Sequence, residues 1–242
     1  MSNKSQYSPP PNWGKDPVSK FIETSEKNTH ASFVNMSREF ELIVFFDELF
    51  RLGIDCASQS KLWFQNFFFL KSHSAYLGAA RLAASGETSE LPMVLRGSIE
   101  WSLYGHFFQY HQDLAETWLN LGKLRKEDPD VVYKFSRKRL LKSLQDKSSI
   151  LGQKTEKLYS YLIESGAHPN ELSLSSSMSI NQIKNNFSIE NIYLSSNPDM
   201  IKTALLTTGK VGYCCLRIWE FLLKERFEIT GITERLDNCE IK

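Results

Sequence analysis

Leu95-Arg96-Gly97-Ser98-Ile99-Glu100-Trp101-Ser102-Leu103-Tyr104-Gly105-His106-Phe107 is the stretch on which the fold turns. At about 100° per residue, Arg96, Ile99, Glu100, Leu103 and Phe107 share one arc of a helix, and Ser98, Ser102 and Gly105 share the opposite side. A helix with an apolar arc and a small-residue flank is one that neighbours cover on more than one side. The spacing therefore predicts a central helix from about Pro92 to Tyr110 and an ion pair, Arg96 with Glu100, set on its apolar face. Burying such a pair is costly unless both groups are hydrogen-bonded. The reading takes the pair as sequestered, either to fix helix register or to hold a ligand.

Upstream, Phe33, Met36, Phe40, Ile43, Phe46 and Phe50 recur in steps of three and four, predicting a helix that ends near Gly53. Ser60 to Ala84 follows as a second helix whose aromatic run demands cover on two faces. Eight of the 16 phenylalanines lie between Phe40 and Phe69, which reads as an aromatic core. Ser89 is the expected cap of the central helix. Downstream, Asp113 is expected to cap a short helix ending at Gly122. Asp128-Pro129 starts another through Leu144, and one from about Thr155 to Ser165 turns Leu158, Tyr161 and Leu162 inward. The segment 171–195 alternates polar and apolar residues and lacks helical period, so it reads as a short β-hairpin or extended insertion. Asn197-Pro198 opens a last helix through Phe227. The expected fold is thus mainly α: a single helical bundle of about seven helices, spanning 17–242, behind a flexible N-terminal tail at 1–16.

With 242 residues, 29 Lys plus Arg and 28 Asp plus Glu, the chain carries a formal charge of +1. No global field draws it to nucleic acid or to an anionic membrane surface. Four cysteines without a CxxC pair read as thiols in a reducing cytoplasm. The polar, proline-rich start has no apolar leader region, and charges interrupt the apolar runs before they reach a membrane span. Thr207-Thr208-Gly209-Lys210 lacks the upstream glycine and trailing hydroxyl of a phosphate loop. No HExxH or GxSxG occurs, and the five histidines are dispersed, so neither a metal nor a cofactor is expected. His73 reads as a rim residue in a polar notch.

Two sets of residues are candidates for function. Arg96, Glu100, Tyr104 and His168 are expected to line a pocket, with Arg96 as anion clamp and His168, at a helix terminus, as a second polar contact. Lys134, Lys138 and Lys142 form a stripe at four-residue spacing, the alternative, through which RNA phosphates would be held.

The stretches from Leu95 to Asn120 and from Leu158 to Leu174 resemble a group of uncharacterised bacterial helical proteins, some related to the HEPN superfamily. Arg96 and Glu100 match the arginine-and-glutamate helix of that group, and Tyr161, Ser165 and His168 match its Tyr, Ser and His ending. Ribonuclease members place arginine and histidine closer on one helix than Arg96 and His106, which nine residues separate. The resemblance implies an all-helical, often dimeric protein of bacterial stress or phage-defence settings. The functional expectation is a binding or protein-interaction module, as a homo-oligomer or with a protein partner and away from membranes. A HEPN-like metal-independent ribonuclease or RNA-binding protein is the alternative.

Overall fold

The computed structural model describes residues 9–58, 63–183 and 186–239. Within them the chain is mainly helical, in the order α1 (Pro17–Asn35), α2 (Ser37–Ser58), α3 (Trp63–Ser85), α4 (Leu91–Tyr110), α5 (Ala115–Leu119), α6 (Leu121–Glu127), α7 (Arg137–Lys147), α8 (Ser149–Leu162), α9 (Glu171–Ser177), the strands β1 (Met178–Ile183) and β2 (Asn186–Asn191), then α10 (Pro198–Ile229) and α11 (Ile232–Asp237). The two strands form an antiparallel hairpin, Met178 opposite Asn191 and Ile183 opposite Asn186. The hairpin lies inside the expected insertion, while Glu171–Ser177 is a short helix where extended chain was expected. Among the described residues no helix is long and apolar enough to cross a membrane.

The long helix α10 is the axis of the bundle, packed by α2, α3, α4, α8 and α11. Its middle carries Val211, Cys215, Leu216, Ile218 and Trp219, all fully buried. Trp219 stacks on Phe69 of α3 at 4.4 Å, and Tyr76 of α3 donates its hydroxyl to the Ile43 carbonyl of α2 at 2.9 Å. The small flank of α4 works as the sequence implies. A side chain at Gly105 would collide with the Trp219 ring, so α4 and α10 approach closely only because none is there. Gly209, part of the false phosphate-loop match, is buried against Leu42 of α2 and serves the same purpose on another face. Ser98 and Ser102 satisfy each other's surroundings: Ser72 of α3 lies 2.8 Å from the Ser102 hydroxyl, Ser98 donates to the Ser72 carbonyl at 2.9 Å, and the Trp219 indole N–H donates to Ser102 at 3.0 Å.

Several boundaries differ from expectation for identifiable reasons. Helix α1 was not expected because it docks through hydroxyls rather than apolar residues: its buried positions are Ser19, Ser25 and Ser32. Ser32 donates to the Ala84 carbonyl at 2.7 Å and Asn28 to the Ser85 carbonyl at 3.1 Å, closing the end of α3. Its start is fixed by Asp16, whose carboxylate accepts from the amides of Val18 and Ser19. Of the expected tail, residues 1–8 lie outside the described residues, and residues 9–16 include a turn closed by the Trp13 amide on the Pro10 carbonyl at 3.0 Å. The chain breaks at Met36, so Phe33 belongs to α1, and α2 continues past Gly53 to Ser58. Ser89 does not cap α4: Glu90 holds the cap position without a side-chain bond. Asp113 sits in a 3-10 turn rather than at a cap, and Gly122 lies inside α6. Asp128 does cap, accepting from the Asp130 amide at 3.0 Å, but the turn it opens is 3-10 and ends at the extended Ser136. Helix α8 begins earlier than expected, under the Ser148 hydroxyl, and its inward residues are Thr155, Tyr159 and Leu162, leaving Tyr161 exposed. It ends in a single wide turn, Ile163–Ala167, at Gly166, whose φ of 127° is open to glycine and strained for other residues.

Candidate functional site

Arg96 and Glu100 face the same way on α4, as their spacing requires, but at the edge of the buried arc. The guanidinium Nε lies 3.5 Å from Glu100 Oε1, and the two side chains are 31% and 37% exposed. The pair is therefore not sequestered in the bundle centre, which corrects the expectation. Long side chains at such an edge keep their stems on apolar surface and their charged heads near water. Arg96 Nη1 donates to the Ala167 carbonyl at 2.8 Å, and Glu100 accepts a short hydrogen bond from the Tyr159 hydroxyl of α8. Burial, then the Glu100 hydrogen bond and charge, hold the Tyr159 phenol protonated well above its ordinary range. The Arg137 guanidinium of α7 covers the Tyr159 ring at 5.3 Å. Chemically this is a latch: an arginine fastening the carbonyl end of the α8 turn, and a carboxylate fastening the α8 tyrosine.

The other expected site residues do not join it. His168 is exposed, with Nδ1 3.2 Å from the carbonyl oxygen of Pro169. The Arg96 contact is with the backbone one residue earlier, so proximity to the His168 chain segment is real while the ring itself takes no part in the Arg96 contacts. Tyr104 donates to the Phe135 carbonyl at 3.3 Å and stacks with Phe68 and Phe108. The stripe of Lys134, Lys138 and Lys142 is interrupted: Lys134 lies in the 3-10 turn before Ser136, whose ψ of 147° resets the helical phase, and Lys142 pairs with Asp146 at 3.2 Å. His73 is buried, not at a rim, with Nε2 2.6 Å from Asp47 and its ring stacked on Phe50. His106 is wholly buried with both ring nitrogens unpartnered, so the imidazole on the Arg96 helix is closed to any substrate. Among the described residues no cluster of His, Cys, Asp and Glu is arranged to hold a metal.

Comparison with protein-family models, with curated proteins and with solved structures finds no match. Function has to be read from the surface of this chain alone.

Two surface features that the sequence reading did not single out stand apart. A cleft of about 460 Å³ opens between the start of α4, the end of α8 and the first turns of α10. Its signal in the sequence is faint, because its walls come from three separated segments. The other feature is the outer face of α3. Trp63, Phe67, Leu70 and Leu77 are 68%, 59%, 47% and 39% exposed. They continue through Ser74 to Arg81 at alternating four- and three-residue steps, so they form one stripe along the helix. The density of aromatics that demanded two covered faces in fact supplies three apolar faces, and the third is uncovered.

Proposed function

We propose that this chain is a protein-interaction module that assembles with a second copy of itself through the outer stripe of α3. The observation that carries this reading is the run of outward apolar side chains at Trp63, Phe67, Leu70 and Leu77. Large apolar side chains grouped on one exposed helix face, here Trp63, Phe67 and Leu70 with Leu77 beyond Ser74, are the kind of surface that marks interaction sites. From Trp63 to Leu77 the apolar run spans roughly 21 Å of helix at about 1.5 Å per residue, long enough for helix-on-helix packing.

Self-pairing is favoured over another partner by two local features. Trp63 borders a cleft of about 190 Å³ that is also lined by Phe108, Gln112, Ala115 and Leu119, so an aromatic projection and a recess lie side by side. An isologous twofold interface has to be self-complementary, and a projection beside a recess meets that condition. An antiparallel pairing also brings the exposed Arg81 end of one stripe to the exposed Trp63 of the other, where a guanidinium meets an indole face. Sedimentation equilibrium is expected to give twice the 27.9 kDa chain mass for the wild type. The Trp63→Glu, Phe67→Glu double variant is expected to give the single-chain mass with an unchanged circular dichroism spectrum. A monomeric wild type at tens of micromolar, or a variant that remains dimeric, overturns the reading.

A further inference from the structure

The cleft at the start of α4 is a separate site, lined by helices other than α3. Its floor is apolar and buried, built by Leu91, Pro92, Leu95 and Leu162. Its rim is hydroxyl-rich, with Thr88, Ser89, Ser165 and Thr203. A concavity of about 460 Å³ falls in the range that holds small molecules, and an apolar floor with a few polar groups at the mouth is their usual surround.

Charge selects the class of molecule. The lining holds one charged side chain, Asp199, in the first turn of α10, and no cation. The Asp199 amide is satisfied by the Asn197 side chain at 2.9 Å. Lys202, three residues on, pairs instead with Glu39 at 3.3 Å. Glu87 and Glu90 flank the two rim hydroxyls in the chain, and burial, together with the Glu87 charge, holds the Glu90 carboxyl above its ordinary range. The starts of α4 and α10 each contribute a partial positive charge of about half a unit, which the full charges of Asp199, Glu87 and Glu90 together outweigh. An anion entering this cleft would meet Asp199 with no cation to receive it. A neutral molecule would leave that carboxylate unused. We propose that the cleft binds a small amphipathic primary amine, its hydrocarbon body on Leu91, Leu95 and Leu162 and its ammonium beside Asp199. The ammonium stays at the rim, where it keeps part of its hydration, while the body leaves water entirely.

Three probes of matched shape separate the possibilities: 4-phenylbutylamine, 4-phenyl-1-butanol and 4-phenylbutyrate, titrated into the full chain by calorimetry and by threonine methyl NMR. The amine is expected to bind, the alcohol about threefold to fivefold more weakly and the carboxylate more weakly still, a spacing of the size one exposed ion pair supplies. Asp199→Asn is expected to bring the amine down to the alcohol's affinity, with the circular dichroism spectrum unchanged. Thr203→Trp, at an exposed rim position, is expected to abolish binding of all three. Equal binding of amine and carboxylate, an unchanged amine affinity in Asp199→Asn, binding that persists in Thr203→Trp, or no binding of any probe at millimolar concentration overturns the proposal. Because α3 contributes nothing to the cleft, self-association and amine binding fail or hold independently.

Discussion

At the scale of single residues, His106 is the group most out of keeping with its surroundings. Its ring lies between Tyr110 at 5.0 Å and Phe221 at 5.9 Å, and neither nitrogen has a partner. Burial, then the positive charges of Lys147 and His111, lower its pKa from 6.5 to about 4. In the unfolded chain the imidazole takes a proton as pH falls through 6.5; in the fold it resists until about pH 4. The unfolded state thus binds more protons between those values, so this contribution to stability is whole above pH 6.5 and declines as pH falls toward 4. The loss is on the order of 3 kcal/mol. His106→Leu, an apolar replacement for an unpartnered polar group, is expected to leave neutral-pH stability equal or higher and to flatten that decline. Urea denaturation between pH 4 and 7 reads both, and an unaltered slope in the variant would exclude His106 as its source. The sequence could place His106 on the central helix but could not show its isolation, because that depends on which rings from α10 arrive beside it. Arg96 and Glu100 illustrate the same limit: periodicity gives the direction a side chain points, while depth depends on how far the next helix reaches over it.

At the scale of elements, the contact between α3, α4 and α10 converges on one hydroxyl. Ser102 accepts from the Trp219 indole and bonds Ser72, at a level where Gly105 admits the indole ring. Ser102→Ala strands both the indole N–H and one of the Ser72 contacts in a dry interface, and is expected to cost about 1–3 kcal/mol in chemical denaturation. A loss below about 0.5 kcal/mol, typical of a surface site, would show that the hydroxyl is dispensable. The small flank of α4 was legible because Ser98, Ser102 and Gly105 recur at helical spacing. The caps at Asp128 and Asn197 were legible because a proline follows each, and the hairpin because its residues alternate. Helix α1 was not, since serines carry its docking and leave no apolar period. The break at Ser136 was not, since lysines continue on both sides at a spacing that mimics a helix.

At the scale of the whole molecule, the mainly helical architecture follows from apolar spacing repeated along most of the chain, and the cleft and the α3 stripe escape because each depends on what surrounds an element rather than on the element. The surroundings of α10 lead to a test of how the molecule opens. Cys214 and Cys215 lie at its centre, fully within the core, whereas Cys56 and Cys239 are half-buried. Burial pushes the Cys214 thiol up to about 12, with the neighbouring Cys215 adding to it, and burial raises Cys215 as well. Burial raises Cys239 as well, with Arg217 opposing. Alkylation needs an accessible thiolate, so iodoacetamide near pH 8 is expected to modify Cys56 and Cys239 and to leave the buried Cys214 and Cys215 intact in the native protein. Among the described residues α2, α3, α4, α8 and α11 pack on α10, with Cys214 against Thr155 of α8 and Cys215 against Ser98 of α4. If these helices separate only together, modification of both thiols waits for global unfolding, and its denaturant dependence is expected to carry the same slope as the equilibrium unfolding curve. Peptide mass spectrometry across a urea series measures both. A shallower slope at Cys214 and Cys215, or modification keeping pace with Cys56 in native buffer, would mean that α10 separates from its neighbours while the rest of the bundle stays folded.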